Sequence, residues 1–189
     1  MVQYQNIILR PMIESDLTEE QYWQTVDTEW MDWDSPWEDD ANFCIETART
    51  QLLKTINNPP PIYYRLRIIT ETGRHIGSVN YYTMNESPLM GAVGIGIPPQ
   101  DARGHGYGKN ALIAWIAYHF HKSSPDALYT QTWSGNDPMI NLAKSIGFEE
   151  TERIKNIRRV KGQLYDACTY RITREQFNAS YKGVVFYEH

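Results

Sequence analysis

Gly91-Ala92-Val93-Gly94-Ile95-Gly96-Ile97, then Pro98-Pro99-Gln100-Asp101-Ala102-Arg103-Gly104-His105-Gly106-Tyr107-Gly108-Lys109, is the stretch around which the chain is organised. It reads as a strand, a tight turn, and a glycine-rich loop. The apolar segment Ala111–Phe120 follows as a helix whose first turn begins inside the glycines. Glycines at alternate positions let backbone N–H groups crowd together without side chains in the way. The helix start adds roughly half a positive charge at the same place. Together they form a site for a phosphate or pyrophosphate.

Two nucleotide motifs fit poorly. A P-loop needs glycine where Arg103 stands and Ser or Thr where Asn110 stands. A dinucleotide fingerprint needs Gly-x-Gly-x-x-Gly in an early strand–helix unit, whereas this loop reads Gly-x-Gly-x-Gly and lies past mid-chain. Arg103-x-x-Gly106-x-Gly108 does stand in register, and it resembles the acyl-CoA loop of the GNAT acyltransferase superfamily. A bare surface turn punctuated by glycine is the simpler alternative.

The 189 residues fit one domain spanning 1–189, and 41% hydrophobic with 22% charged residues allows an ordinary core. Net charge is −5 and the basic residues do not cluster, which argues against a nucleic-acid partner. Cys44 and Cys168 form no metal-binding pattern, so the expectation is a reducing compartment and no metal. The N-terminus has no secretory pattern and Ala111–Phe120 is too short to span a bilayer. A soluble, cytoplasmic protein is expected, with no membrane partner.

In chain order, Ile7–Met12 reads as the first strand and Glu14–Asp27 as a helix. Asp27–Asp40 interleaves seven carboxylates with Trp30, Trp33 and Trp37, and Ser35-Pro36 makes it a loop. Trp30, Asp32, Trp33 and Asp34 could cradle an alkylammonium group by ion pairing and cation–π attraction. The alternative is a solvated acidic loop whose indoles plug the edge of the core. Ala41–Asn57 reads as a helix, Ile62–Thr70 and His75–Met84 as an antiparallel hairpin, and Glu86-Ser87-Pro88 as a link. Then come a strand at Ala127–Trp133 and a helix from Pro138 to Ser145, stopped by Gly147. A hairpin turning at Lys161-Gly162 and a short helical turn at Thr173–Phe177 complete the order.

That order, strand, two helices, three strands, helix, strand, helix, two strands, is similar to the GNAT fold. Asn136, followed by a helix ending at Gly147-Phe148, resembles the superfamily's second motif. The resemblance covers essentially the whole chain and is closest to the branch holding ribosomal-protein N-terminal and small-amine acetyltransferases. It implies an α/β fold of three layers, with a mixed, mostly antiparallel sheet and helices on both faces. It implies acetyl-CoA as acyl donor and a primary amine attacking directly in a ternary complex. Val93, Gly94, Ile95, Gly96 and Ile97 would present backbone groups to the pantetheine arm. Amides of Arg103, Gly104, His105, Gly106, Tyr107 and Gly108 would hold the pyrophosphate, Asn136 would bond the pantetheine, and Lys109 or Lys144 would meet outer phosphates.

The chain departs from the better-known members at both proton carriers. Ala143 stands where many have a tyrosine acid, and Ala92 where related branches have a glutamate. Ser134, Tyr82, Asp137 or a carboxylate of Asp27–Asp40 could substitute, with Ser134 and Tyr82 the catalytic candidates. His105, facing phosphate, is expected to be solvent-exposed rather than a base. The acidic tryptophan loop favours a small cationic acceptor. A protein N-terminus, or a non-catalytic acyl-CoA-binding module, are the alternatives. The final strands, as sheet edges, could pair across a homodimer.

Overall fold

A computed structural model describes residues 1–37, 44–84 and 90–187. Glu38, Asp39 and Asp40 of the acidic loop, the expected helix start at Ala41–Phe43, and the link Glu86-Ser87-Pro88 lie outside the described residues. Nine strands form one sheet in the order β7-β8-β6-β5-β4-β3-β2-β1-β9. They are β1 Val2–Tyr4, β2 Ile7–Arg10, β3 Arg65–Thr70, β4 His75–Thr83, β5 Gly91–Gly96, β6 Ala127–Trp133, β7 Glu149–Val160, β8 Gln163–Thr173 and β9 Val185–Phe186. The helices are α1 Asp16–Thr25, α2 Ile45–Asn57, α3 Tyr107–Lys122, α4 Asp137–Ile146 and α5 Arg174–Ser180. Every pairing is antiparallel except β5 with β6. This is the mixed, mostly antiparallel α/β architecture expected.

α3 is buried without interruption from Ala111 to Phe120, which is why that segment shows little amphipathic pattern. The sheet residues Leu9, Ile68, Ile76, Val79, Val93 and Leu128 share one core with it. α1 is tied to the sheet by polar contacts. Asp16 takes both guanidinium nitrogens of Arg10 at 2.7 and 2.8 Å, and Glu20 pairs with Arg67 at 2.8 Å. Glu19 meets His75 Nδ1 at 2.9 Å while the other ring nitrogen lies 3.1 Å from Gly77 O. Asp16, Glu19 and His75 have cation-ligand spacing, but these bonds already occupy their ligand atoms.

α4 has Asn136 as N-cap, its side chain accepting from Met139 N at 3.0 Å, with Pro138 in the first turn. Gly147 ends it at φ 102, the left-handed conformation that glycine adopts at low cost. Lys161 and Gly162 turn the last hairpin with φ 48 and 84, both positive as a two-residue turn of this hand requires.

Four elements were not anticipated: β1, β9 and the 3₁₀ turns at Glu29–Asp32 and Gln100–Ala102. Strands of two or three residues carry no readable period, and β1 finds β9 at the opposite end of the chain, with Val2 opposite Phe186. Of the final hairpin only β7 presents an edge, since β8 lies between β7 and β6. That edge is charged and its register shifts twice, features that blunt strand-to-strand pairing.

Candidate active site

β5 and β6 share a single registered pair, Ala92 with Tyr129, and then diverge. From Gly94 onward β5 keeps β4 on one side and faces a cleft on the other. A cavity of about 690 Å³ fills this cleft. Gly94, Ile95, Gly96 and Ile97 line it, with Arg103, Gly104 and Gly108 of the loop and Asn136 of the second motif. Val93 does not; it is wholly buried in the core.

At the loop, Gly104 and Gly106 both sit at φ 80, and a Cβ on either would meet nothing within 4 Å. Positive φ is what demands glycine there, and the open space leaves this backbone accessible from outside. Gly106 is the N-cap of α3 and supplies no side-chain cap, nor is there an acid in the first turn. The helix start therefore offers its N–H groups to an external anion. His105 and Gly106 are exposed; Tyr107 and Lys109 are half-buried, and Lys144 is exposed on α4.

The side chain of Arg103 has a different task. It donates to Ile97 O at 2.8 Å and to Pro98 O, and pairs with Glu29 Oε2 at 2.7 Å. It thus ties the glycine loop to the tryptophan loop. Hydrogen bonds from Trp33 and from Arg103 hold the Glu29 carboxyl below its ordinary range.

Residues 29–37 are strapped across the cleft mouth. Trp33 O accepts from Trp133 Nε1 at 3.1 Å and from Asn136 Nδ2 at 2.8 Å. Trp30 Nε1 donates to Trp23 O at 2.8 Å, and Asp32 pairs with Lys161 at 3.1 Å. Trp30, Trp33 and Asp34 line the cavity, whereas Asp32 is turned to Lys161 outside the lining. The loop combines both sequence readings: its indoles wall the cavity, and Glu29 and Asp32 fasten it.

Sequence reasoning missed how many tryptophans meet here. Five of the six, Trp23, Trp30, Trp33, Trp37 and Trp133, line the same cavity, joined by Tyr82. They come from α1, the loop and β6, which only the fold brings together.

Tyr82 reaches across β5, where Ala92 is small, to set its hydroxyl 3.4 Å from Gln131 Oε1. Burial, with the charge of Asp34, pushes its pKa up to about 12, so it stays a neutral donor. Ser134 lies outside the lining; its hydroxyl accepts from Asp166 N at 2.9 Å and fastens the end of β6 to β8. Asn80 was missed entirely. Its Oδ1 is buried, lines the cavity and has no hydrogen-bond partner among the described residues. A Cβ on Gly94 would come 2.2 Å from that oxygen, so glycine at 94 makes room for it. Thr130 Oγ1, on β6 across the cleft, is likewise buried and unpartnered.

The acetyltransferase (GNAT) domain family matches residues 6–149, well over half of the chain. The protein belongs to the GNAT acetyltransferases. The SPbeta prophage-derived uncharacterized N-acetyltransferase YokL of Bacillus subtilis (strain 168) is 28% identical over 79 residues, 42% of this chain and 45% of that relative, so the match spans under half of either protein. Spermidine N-acetyltransferase from Vibrio cholerae, solved with CoA and spermine, superposes with TM-score 0.72 at 16% identity, covering 92% of this chain and 98% of its own. Ribosomal-protein-S5-alanine acetyltransferase from Vibrio fischeri gives TM-score 0.72 at 16% identity, covering 93% and 97%. At such identities these two structures establish the GNAT fold, and their acceptors differ in kind. Among the described residues no helix is long and apolar enough to cross a membrane.

Proposed function

We propose that this protein, as one domain over residues 1–189, transfers an acetyl group from acetyl-CoA to a small primary amine. The observation that carries the reading is the strapped, tryptophan-walled cavity. It is joined through the β5–β6 cleft to the uncapped start of α3. A cavity crossed by the hydrogen bonds of Trp133 and Asn136 to Trp33 O suits a compact acceptor better than a trailing polypeptide. Indole faces with Asp34 in the lining suit an ammonium group. Two cysteines outside any disulfide fit a cytoplasmic setting.

The residues present fit acetyl-CoA. The open glycine backbone of Gly104 and Gly106 at the uncapped start of α3 suits its pyrophosphate, and the unpaired side of Gly94–Gly96 suits its pantetheine amides. When bound, it supplies an acetyl thioester, the electrophile. The amine must first lose a proton. Glu20 pairs with Arg67, and Asp34 is the second lining carboxylate; a water can carry that proton to Asp34. Asn80 Oδ1 accepts an N–H of the neutral amine and points its lone pair along the cleft. The nitrogen forms the C–N bond to the acetyl carbon as the C–S bond breaks, and the proton that the nitrogen then sheds passes to the sulfur. Tyr82, neutral and donating, steadies the departing sulfur. Much of the rate comes from holding the two reactants together.

The test has two parts. Acetyl-CoA at about 100 times Kd adds roughly 2.7 kcal/mol, a rise in melting temperature of about 5–10 °C for this size. CoA thiol release is then followed with small amines and with alanyl and seryl peptides. Release with peptides alone would move the assignment to protein N-termini, and binding without release from any amine would leave an acyl-CoA-binding module.

A further inference from the structure

Two more buried polar atoms line the cavity without a hydrogen-bond partner among the described residues: Arg158 Nε and Trp37 Nε1. They come from different parts of the chain, β7 and the tryptophan loop, yet the Arg158 guanidinium lies 4.5 Å from the centre of the Trp37 ring. Trp37 in turn stands edge-on to Trp133, whose other neighbour is Tyr165. The aromatic stack fixes both donors at one end of the cavity.

Both groups are donors and neither can accept. A buried donor left unpaired costs about 1–3 kcal/mol, more when it belongs to a charged group. Two side by side call for an anionic oxygen. Among the described residues neither lining carboxylate supplies one: Asp34 makes no hydrogen bond to Arg158 Nε or Trp37 Nε1. Glu20 is held by Arg67, and Arg103 is held by Glu29 and two carbonyls. Arg65 stands exposed in the same lining and adds positive charge. The unpaired acceptor, Asn80 Oδ1, comes from β4, another wall of the cavity. The cavity therefore carries an acceptor atom suited to an amine N–H and, from separate elements, a donor pair suited to a carboxylate.

We propose that the acceptor is an amino-carboxylate, its carboxylate read by Arg158 and Trp37. This rests on the N-acetyltransferase reading and narrows it away from polyamines, which carry no anion. The five indoles suit a flat side chain on such a molecule, so aromatic amino acids are the natural probes.

The experiment compares L-tryptophan with tryptamine and L-phenylalanine with phenethylamine, pairs that differ only in the carboxylate, with spermidine as an anion-free control. kcat/KM from thiol release is measured for the native protein, Arg158→Gln and Trp37→Phe. The second variant keeps an aromatic ring beside the guanidinium and removes the indole N–H with the rest of the five-membered ring. Melting curves with each compound, without acetyl-CoA, give a readout independent of turnover. The expected result is that the native protein prefers each amino acid over its amine about tenfold or more. Each variant should lower that ratio, Arg158→Gln by about tenfold. The amino acids should raise the melting temperature of the native protein more than that of either variant. A merely structural role would scale both members of a pair alike and leave the ratio unchanged. Preference for the amines or spermidine, or a ratio untouched by both variants, overturns the proposal while leaving the N-acetyltransferase reading intact. No thiol release from any amine would sink that reading instead. The melting curves then decide this one: amino acids that give no greater rise than their amines refute it.

Discussion

His119 should make the protein lose stability in mild acid. It lies in the last turn of α3, 1% exposed, with neither ring nitrogen hydrogen-bonded among the described residues. Its ring stacks on Tyr81 at 4.1 Å and meets Trp115 and Tyr118 edge-on at 4.3 and 5.1 Å. Burial among these rings penalises the charged form and lowers the pKa from 6.5 to about 3. The folded protein thus holds His119 neutral while the unfolded chain takes up a proton as the pH drops through 6.5. The associated stability is fully present above that value and is lost progressively down to about 3. Between pH 7 and pH 5 the loss is about 2 kcal/mol. That figure depends almost wholly on the unfolded chain, because any folded pKa below about 4 gives the same result. For this chain length it corresponds to a fall in melting temperature of about 4–8 °C. His119→Phe keeps a ring in the aromatic cluster and removes the titration. Urea unfolding of both proteins at pH 7 and pH 5 is the assay. The variant should be close to the native protein in stability at pH 7 and should lack about 2 kcal/mol of its acid sensitivity. Equal pH dependence in the two proteins would refute the argument, since it would mean that the folded protein accommodates the charged ring.

Other expectations concern the site. Tyr82→Phe should lower kcat by about 10²-fold with little change in KM. The native pH–rate profile should show no loss from tyrosine ionisation below about pH 11, since Tyr82 titrates near 12. An unchanged kcat would remove Tyr82 from the mechanism. Gly94→Ala puts a methyl 2.2 Å from Asn80 Oδ1, so the amide must rotate out of the cleft. Stability should fall by only about 1 kcal/mol while kcat/KM falls tenfold or more, and a retained kcat/KM would count against Asn80. Asn136→Ala loses the α4 cap and the bond to Trp33 O together, at a cost of about 1 kcal/mol for the cap. Asn136→Ser restores only the cap. If the strap matters, Ser should recover the melting temperature but not KM for the amine.

Much of this was legible before any fold was known, because local rules carry it. The left-handed glycines at 104 and 106, the Asn136 cap and the Gly147 stop lie within one turn of the helices they define. The Lys161-Gly162 turn is equally local. The burial of α3 follows from its unbroken apolar run. Other features were hidden for equally physical reasons. β1 and β9 are too short to show a period and pair from opposite ends of the chain. Ser134 and Asp32 have suitable chemistry, yet long-range partners, Asp166 and Lys161, take them out of the cavity.

The sequence by itself determined the order of the longer elements and the glycine loop that opens α3, since each depends on spacing and backbone conformation along a short stretch. The proposed acceptor site depends on tertiary structure alone. Beside the cleft where β5 diverges from β6 stand indoles from α1, the loop and β6. Asn80, Trp37 and Arg158 have buried polar atoms there with no hydrogen-bond partner among the described residues. Whether a polar atom is satisfied depends on what packs against it from distant segments, and no local pattern records that.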